Sequence, residues 1–573
     1  MRLMECVAFL FAILVSGGAI AGLPWQEYDQ QLEEKRKIAQ LHTDSMFGET
    51  IDLYSGALSF SVSDISLPGN NGLPVEIRRS YTVFDAAPNT GAFGNWELDI
   101  PRIHAVFSSE WGHSNWCTKN APSTTPNGVS PDDYWTGHHA ELPGGGELLL
   151  VKSGRPQPST GGPWRWMTAG ETHFSCLTAI KNGTGEGFLA IDKNGTRYWL
   201  DWAARDAYQP YTKINLAVPA KTTIGRSEYV LYATRVEDRF GNWVAYTYSN
   251  AANLPVRLDR IDASDGRRIT LGYTNGYITS ASNGTHTWSY GYSGAALTLV
   301  TLPDGSQWKM DSSNLKPIQW SKDEYTHFNC ETPEAPTIGG GTLSITHPSG
   351  AVGTFSMGVR WAGITNVPLF CTNWAAPGSP QNNETDDYPV FPFEWATLAI
   401  TEKTVQGAGV PLLRWKYQLS SESSWQYAPG SNDQPVCRSL TCADPICTSD
   451  SCAGKRIMAI TRPDAAIERY VFGNSYRYNE GKLLTHEVVS GITVNRSTRT
   501  TYHYGAGTIG TSSRGRGMGW AVEHTRPLVK REIVQDGVNF KWEVAKGCIS
   551  AGVYCFDAFL RPTKVIRGSV LSP

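Results

Sequence analysis

One pattern constrains this chain more than any other: a turn carrying Gly is followed by apolar or aromatic residues at the third, fifth and seventh positions after it. Gly241 leads to Val244, Tyr246 and Tyr248, and Gly266 leads in the same register to Ile269, Leu271 and Tyr273. Gly305 leads to Trp308 and Met310, while Gly284 runs one residue late, to Trp288, Tyr290 and Tyr292. Side chains on a strand point alternately to opposite faces, so each unit reads as a turn feeding a strand with one buried face. Asp-Gly and Asn-Gly supply the positive φ that tight hairpins need. The register returns at Gly195 (Tyr198, Leu200, Trp202), Gly350 (Phe355, Met357) and Gly537 (Phe540, Trp542, Val544). A unit near 20 residues that cannot bury its own face must stack on its neighbours, which predicts an all-β, extended or closed array.

Composition points the same way. In 573 residues, 57 Gly, 33 Pro and 11% aromatics suit many short strands and turns, with little helix. The net charge of -3, without a basic block, lacks the footprint of a nucleic-acid binder.

The chain opens with Arg2, an apolar run from Val7 to Val15 and the small-residue motif Ala19-Ile20-Ala21, which reads as a signal peptide over 1–21. The mature protein is therefore expected outside the cytoplasm: secreted, periplasmic or on the cell surface, with no membrane span. Residues 22–45 form a leader whose Trp25 to Leu41 stretch, rich in helix formers and charges, predicts one exposed helix. From Met46 the chain turns to strands, broken at Ser55-Gly56 and at Pro68-Gly69-Asn70-Asn71-Gly72.

The stretches FGETIDLYSGALSFSVSDISLPGNNGLPVEIRRSY and GAFGNWELDIPRI, then RVEDRFGNWVAYTYSNAANLPVRLDRIDASDGRRITLGY and YVFGNSYRYNEGKLL, carry a resemblance. The sequence resembles the RHS/YD-repeat family, to which bacterial RHS toxins and the insecticidal toxin-complex B and C components belong. The resemblance implies a repeat array spiralling into a partial shell, divided into an N-terminal β region (46–230), repeats (231–310), a divergent β region with a Cys-rich loop (311–454) and further repeats (455–573) that stop mid-repeat. The expected partner is a toxin polypeptide held inside, or a downstream chain of the same family that completes the shell. Two departures stand out. The Tyr-Asp dipeptide that names the repeat is replaced by Tyr248-Ser249 and Tyr273-Thr274. The Asp-Pro-x-Gly type motif of self-cleaving members has no counterpart, since Asp444-Pro445 continues as Ile446-Cys447.

Of the 11 Cys, Cys6 falls in the signal peptide. Cys437, Cys442, Cys447 and Cys452 form a C-x4-C-x4-C-x4-C run in a polar loop. Zinc knuckles favour C-x2-C, and exported chains keep disulfides, so bridges are expected there. Cys117 with Cys176, Cys330 with Cys371, and Cys548 with Cys555 are further candidate pairs.

Other chemistry is sparse, and neither a catalytic residue nor a cofactor or metal is expected. His138 and His139 are neighbours on a strand, so they face opposite ways and read as structural. Gly144-Gly145-Gly146 lacks the Gly-Lys-Ser/Thr of a phosphate loop. Asp238, Asp259, Asp262, Asp265 and Asp304 mostly sit in or near repeat turns, where Asp caps its own backbone; an acid and base pair for glycoside cleavage among them is the alternative, but turn chemistry explains them without it. The Asn-Gly-Thr sequences at Asn182, Asn194 and Asn283 read as hairpin turns. Three functions follow in order: a non-catalytic toxin shell, a cell-surface carbohydrate-binding module using aromatic platforms, and a secreted hydrolase.

Overall fold

The computed structural model describes residues 45–571, except 84–90, 110–114, 123–124, 126–134, 136, 144, 153–155, 216–219, 321–335, 367–370, 374–386, 390–393, 421–449, 451–454, 477, 505–507, 513–521 and 525. The signal peptide, the leader helix and the loop holding Cys437, Cys442, Cys447 and Cys452 lie outside the described residues, as does Cys330. Residues 47–573 form one compact unit.

That unit is all-β, with no α-helix among the described residues. It begins with a four-stranded antiparallel sheet, β1 (Glu49–Ile51), β2 (Leu58–Ser66), β3 (Glu76–Thr82) and β4 (Glu97–Leu98). From β5 (Arg102–Ser108) and β6 (His139–Leu142) onward, nearly all strands join one large antiparallel sheet. Its longest hairpin pairs Arg197–Asn215 with Ala220–Glu237, and β5 pairs with the outer edge of the second of these. Most later hairpins add strands in sequence order. The late strand Thr508–Ser512 instead pairs back with Leu150–Lys152.

The recurring Gly turns share a backbone. At 192–196, 238–242, 263–267, 302–306 and 347–351, the fourth residue's N–H donates to the first residue's carbonyl, and the first residue's N–H donates to the fifth residue's carbonyl. The fourth residue is Gly195, Gly241, Gly266, Gly305 or Gly350, with φ between 84° and 87°. This is a type I turn closed by a Gly in the left-handed region. A Cβ at Gly241 or Gly266 would meet nothing within 4 Å, so the backbone angle and not crowding selects Gly. Gly284 runs late because its loop is four residues long, Ser282 pairing with Thr287. Gly537 belongs to a different turn, a two-residue Asp536-Gly537 connection between paired Gln535 and Val538.

A second regularity lies at the end of each strand. Tyr248, Tyr273, Tyr292 and Tyr502 each follow a break in register with the neighbouring strand. Their hydroxyls donate to the carbonyls of Ala233 (2.7 Å), Leu258 (3.0 Å), Ile278 (2.6 Å) and Leu483 (3.2 Å). The irregularity re-aims the side chain, and the phenol then ties its strand to an earlier one.

The small sheet covers the face that carries these tyrosines. Phe60 meets Phe355 edge-on at 5.0 Å and Phe93 meets Tyr290 at 4.8 Å, while Phe47 also packs on Phe355. Backbone bonds join the layers: Ile278 N–H donates to Ala92 O and Asn95 N–H to Ala295 O, both at 2.9 Å. Two buried ion pairs lie at this junction: Lys403 with Glu49 at 2.6 Å, and Arg79 with Asp64 at 3.1 Å under the Trp96 ring.

Candidate functional site

Among the described residues, a cluster of charge lies where β5 and β6 meet the long hairpin. On strands, i and i+2 share a face, so Arg102 and His104 project together. Register places Arg102 opposite Tyr232 and Glu141, His104 opposite Val230 and His139, and Asp206 opposite Glu228. Glu97 reaches in from β4. Arg102 is paired with both Glu97 and Glu141, the latter at 2.7 Å. His104 lies between two carboxylates, Nδ1 at 2.7 Å from Glu228 and Nε2 at 3.2 Å from Glu141. Glu97, Arg102, Asp206, Glu228 and Tyr232 line a small recess with Pro255.

The electrostatics follow from that packing. Burial alone would lower the His104 pKa, but hydrogen bonds to Glu141 and Glu228 and the charge of Glu228 raise it to about 9. Burial would raise Glu141, yet the charge of Arg102 and the bond from His104 bring it to about 2. For Asp206, burial together with the Glu228 charge outweighs the opposing Arg102 charge and pushes it up to about 7. The cluster thus holds an exchangeable proton near neutrality. Both nitrogens of the His104 imidazole are engaged, however, and the polar groups lining the recess are the carboxylates of Glu97, Asp206 and Glu228, the Arg102 guanidinium and the Tyr232 phenol.

This cluster escaped the sequence reading. Its members come from Glu97, Arg102, His104, Glu141, Asp206 and Glu228, and only pairing brings them together. A usable signal was present: charged residues standing in phase with each other on a strand, as Arg102 and His104 do in RIHAVFS. Arg79, in phase with Ile77 and Tyr81 on β3, carries the same mark.

The sequence-predicted residues fall as follows. Val244, Tyr248, Ile269 and Tyr290 are buried, whereas Tyr246, Leu271, Tyr273, Trp288 and Tyr292 are half-buried on the same face. Cys117 and Cys176 form a disulfide with a Cα–Cα distance of 5.5 Å, and Cys548 and Cys555 form another at 5.3 Å. Cys371 lies on a short strand, Cys371–Asn373. His138 sits in an aromatic box of Phe107, Trp116, Trp135, Trp166 and Phe188, where burial lowers its pKa to about 3. His139 faces the other way, against His104. Gly145 and Gly146 pair with Leu142 and Glu141 in a hairpin.

Asp238 and Asp304 cap turns, Asp238 accepting from Phe240 N at 2.8 Å and Asp304 from Ser306 N at 2.9 Å. Asp265, in its turn, holds the Arg267 guanidinium at 2.8 Å and accepts from Asn70 N at 3.3 Å. Asp259 and Asp262 lie within the strand Leu258–Ala263, Asp262 next to the 263–267 turn, where it pairs with Arg260 on its own strand and with Arg268 across the ladder. Asn182 lies in the loop of the hairpin that pairs His173–Leu177 with Gly187–Ile191, and its side chain bonds both backbone groups of Ala203.

No protein-family model matches the chain, and no curated protein matches it in sequence. Among solved structures, it is similar to a chain of the TcdB2–TccC3 crystal structure at 8% identity and a TM-score of 0.29, over 92% of this chain and 37% of that one. A chain of the TcdB2–TccC3–Cdc42 structure gives 9% identity and 0.27, over 90% and 36%. A chain of the Photorhabdus luminescens Tc holotoxin pore, carrying a TccC3 mutation, gives 9% and 0.29, over 90% and 35%. The chain thus spans little more than a third of the length of the chains it matches.

Proposed function

We propose that this chain is a non-catalytic segment of an exported toxin-enclosing shell, working with a toxin polypeptide or a further chain of the same family. The observation that carries this reading is the repeating hairpin sheet, whose tyrosine-bearing face is roofed by β1 to β4. A sheet that extends by the same turn and the same tyrosine tie can grow to enclose a volume without a separate core for each unit. The ionic cluster fits a structural role, since His104, Arg102 and Glu141 satisfy one another. The seven-residue disulfide spacing at Cys548–Cys555 and the bridge at Cys117–Cys176 suit an oxidising compartment. No helix among the described residues is long and apolar enough to cross a membrane.

The carbohydrate-binding reading predicts exposed aromatic platforms on the opposite face. Trp199 and Trp243 do lie there, but the Arg235 guanidinium lies 6.0 and 5.1 Å from their ring centroids and occupies the space between them.

The test is co-expression of the full chain with the open reading frame encoded next to it, followed by limited proteolysis. The shell reading expects the second polypeptide to be protected only when this chain is present. Equal digestion with and without it would overturn the reading, and hydrolysis of a glycan by the purified chain would replace it with an enzymatic one.

A further inference from the structure

Residues 67–75 join β2 to β3 as a loop closed at its base, where the Leu67 N–H donates to Val75 O at 2.9 Å. Pro68, Gly69 and Asn70 are exposed. Three oxygens of this loop nevertheless converge on a cation from a distant part of the chain. Arg267 Nη1 donates to the carbonyls of Leu67 (2.9 Å) and Leu73 (3.3 Å), and Nη2 donates to Asn71 Oδ1 at 3.2 Å. Nε donates to Asp265 at 2.8 Å, and the same carboxylate accepts the Asn70 N–H at 3.3 Å. All three guanidinium nitrogens are thus engaged, and the Arg267 side chain is only 10% exposed although it springs from a surface turn.

Gly69 lets the loop come this near. A Cβ there would lie 2.2 Å from Arg267 Cζ and 2.4 Å from Nε, so any larger residue must expel the guanidinium. The oxygens surround a planar ion whose donors point outward in fixed directions, a geometry that the compact ammonium of Lys cannot match. Arg267 is also singular in its place. It is the fifth residue of the turn 263–267, and in the other four Gly turns that share this backbone the fifth residue is Thr196, Asn242, Ser306 or Ala351, none of which carries a cation.

The repeated turns are alike in backbone, and burial of the tyrosine face is non-directional, so neither dictates which turn the β2–β3 loop sits on. We infer that the 67–75 loop is a guanidinium-binding site, and that Arg267, by filling it, latches the small sheet to one chosen turn of the large sheet. This latch serves whatever the sheet encloses. With Arg267 removed, the loop becomes an open receptor for a free guanidinium ion.

The experiment is hydrogen exchange of the full chain, read by mass spectrometry. Two amides report how the small sheet is seated, since Ile278 N–H donates to Ala92 O and Leu297 N–H to Asn95 Oδ1, both at 2.9 Å. Arg267→Ala should speed exchange in the peptides holding Leu73, Ile278 and Leu297 about tenfold or more, because several charge-assisted bonds are lost at once. Guanidinium chloride on the order of 10 mM, far below denaturing levels, should return those rates towards wild type, and equal NaCl should not. Arg267→Lys should exchange as fast as Arg267→Ala. Gly69→Ala should have the same effect with Arg267 retained, and combining it with Arg267→Ala should add nothing and abolish the rescue. If Arg267→Ala does not fold, Gly69→Ala and Arg267→Lys decide the matter. Wild-type rates in any of the three single variants, equal responses to NaCl and guanidinium, or additive effects of the two Ala changes would overturn the proposal.

Discussion

At the scale of single residues, the tyrosine hydroxyls and the ionic cluster carry the most consequence. Tyr248 is buried and donates to the Ala233 carbonyl. Tyr248→Phe should lower stability by about 1 kcal/mol, the net worth of one hydrogen bond, and Tyr248→Ala by about 3 to 5 kcal/mol. Denaturant melts of both variants check this, and equal losses in the two would mean that the ring contributes nothing beyond its hydroxyl. The cluster makes a pH prediction. His104 has a folded pKa raised to about 9 from 6.5, so its stabilisation is complete below 6.5 and lost as pH climbs through 9. Glu141, lowered to about 2 from 4.5, stabilises above 4.5 and ceases to do so as pH falls through 2. Asp206 acts in the opposite sense: its pKa is raised from 3.8 to about 7, so its ionisation destabilises the fold progressively across that window. Asp206→Asn should therefore stabilise the protein at pH 8 by on the order of 2 kcal/mol and have little effect below pH about 4. Thermal melts at both values decide it, and destabilisation at pH 8 would show that the carboxylate is a needed partner.

At the scale of elements, the question is what fastens the small sheet to the large one. Lys403 and Glu49 are both almost fully buried, and burial raises the Glu49 pKa even with Lys403 beside it. Removing one partner strands the other charge. Lys403→Met should lower stability by roughly 3 to 5 kcal/mol, and Lys403→Met with Glu49→Leu should recover most of that loss. A double variant no better than the single one would mean that the pair holds the junction by geometry rather than by compensating charge. The Cys117–Cys176 bridge closes a separation of 59 residues beside the His138 aromatic box. Replacing both with Ser should lower stability by roughly 2 to 4 kcal/mol, more than the same change at Cys548 and Cys555, whose separation is 7. Urea melts of the two double variants provide the comparison.

At the scale of the whole molecule, the small sheet and the repeats depend on each other. The residues β1 to β4 bury, among them Phe47, Phe60, Phe93 and Trp96, are matched by Phe355, Tyr290 and Trp308 beneath them. A chain lacking residues 46–100 should expose that aromatic face, bind a hydrophobic dye and aggregate. Size-exclusion chromatography that returned a compact, dye-silent protein would show that the repeats are self-sufficient.

Local physics made much of this legible in advance. The type I turns at Gly241 and Gly266 and the alternation that follows them depend on contacts a few residues apart, so the order of symbols was enough to place the strands and the buried face. The same reasoning located Cys117 with Cys176 only as a candidate, because a bridge depends on where two distant strands lie. The roof over the tyrosines, the meeting of Glu97, Arg102, His104, Glu141, Asp206 and Glu228, and the pairing of Thr508–Ser512 with Leu150–Lys152 were decided by tertiary structure alone. Hydrophobic burial is non-directional, so one apolar face states that something must cover it without stating what. A charge in phase on a strand likewise announces a partner, and only the assembled sheet says which one.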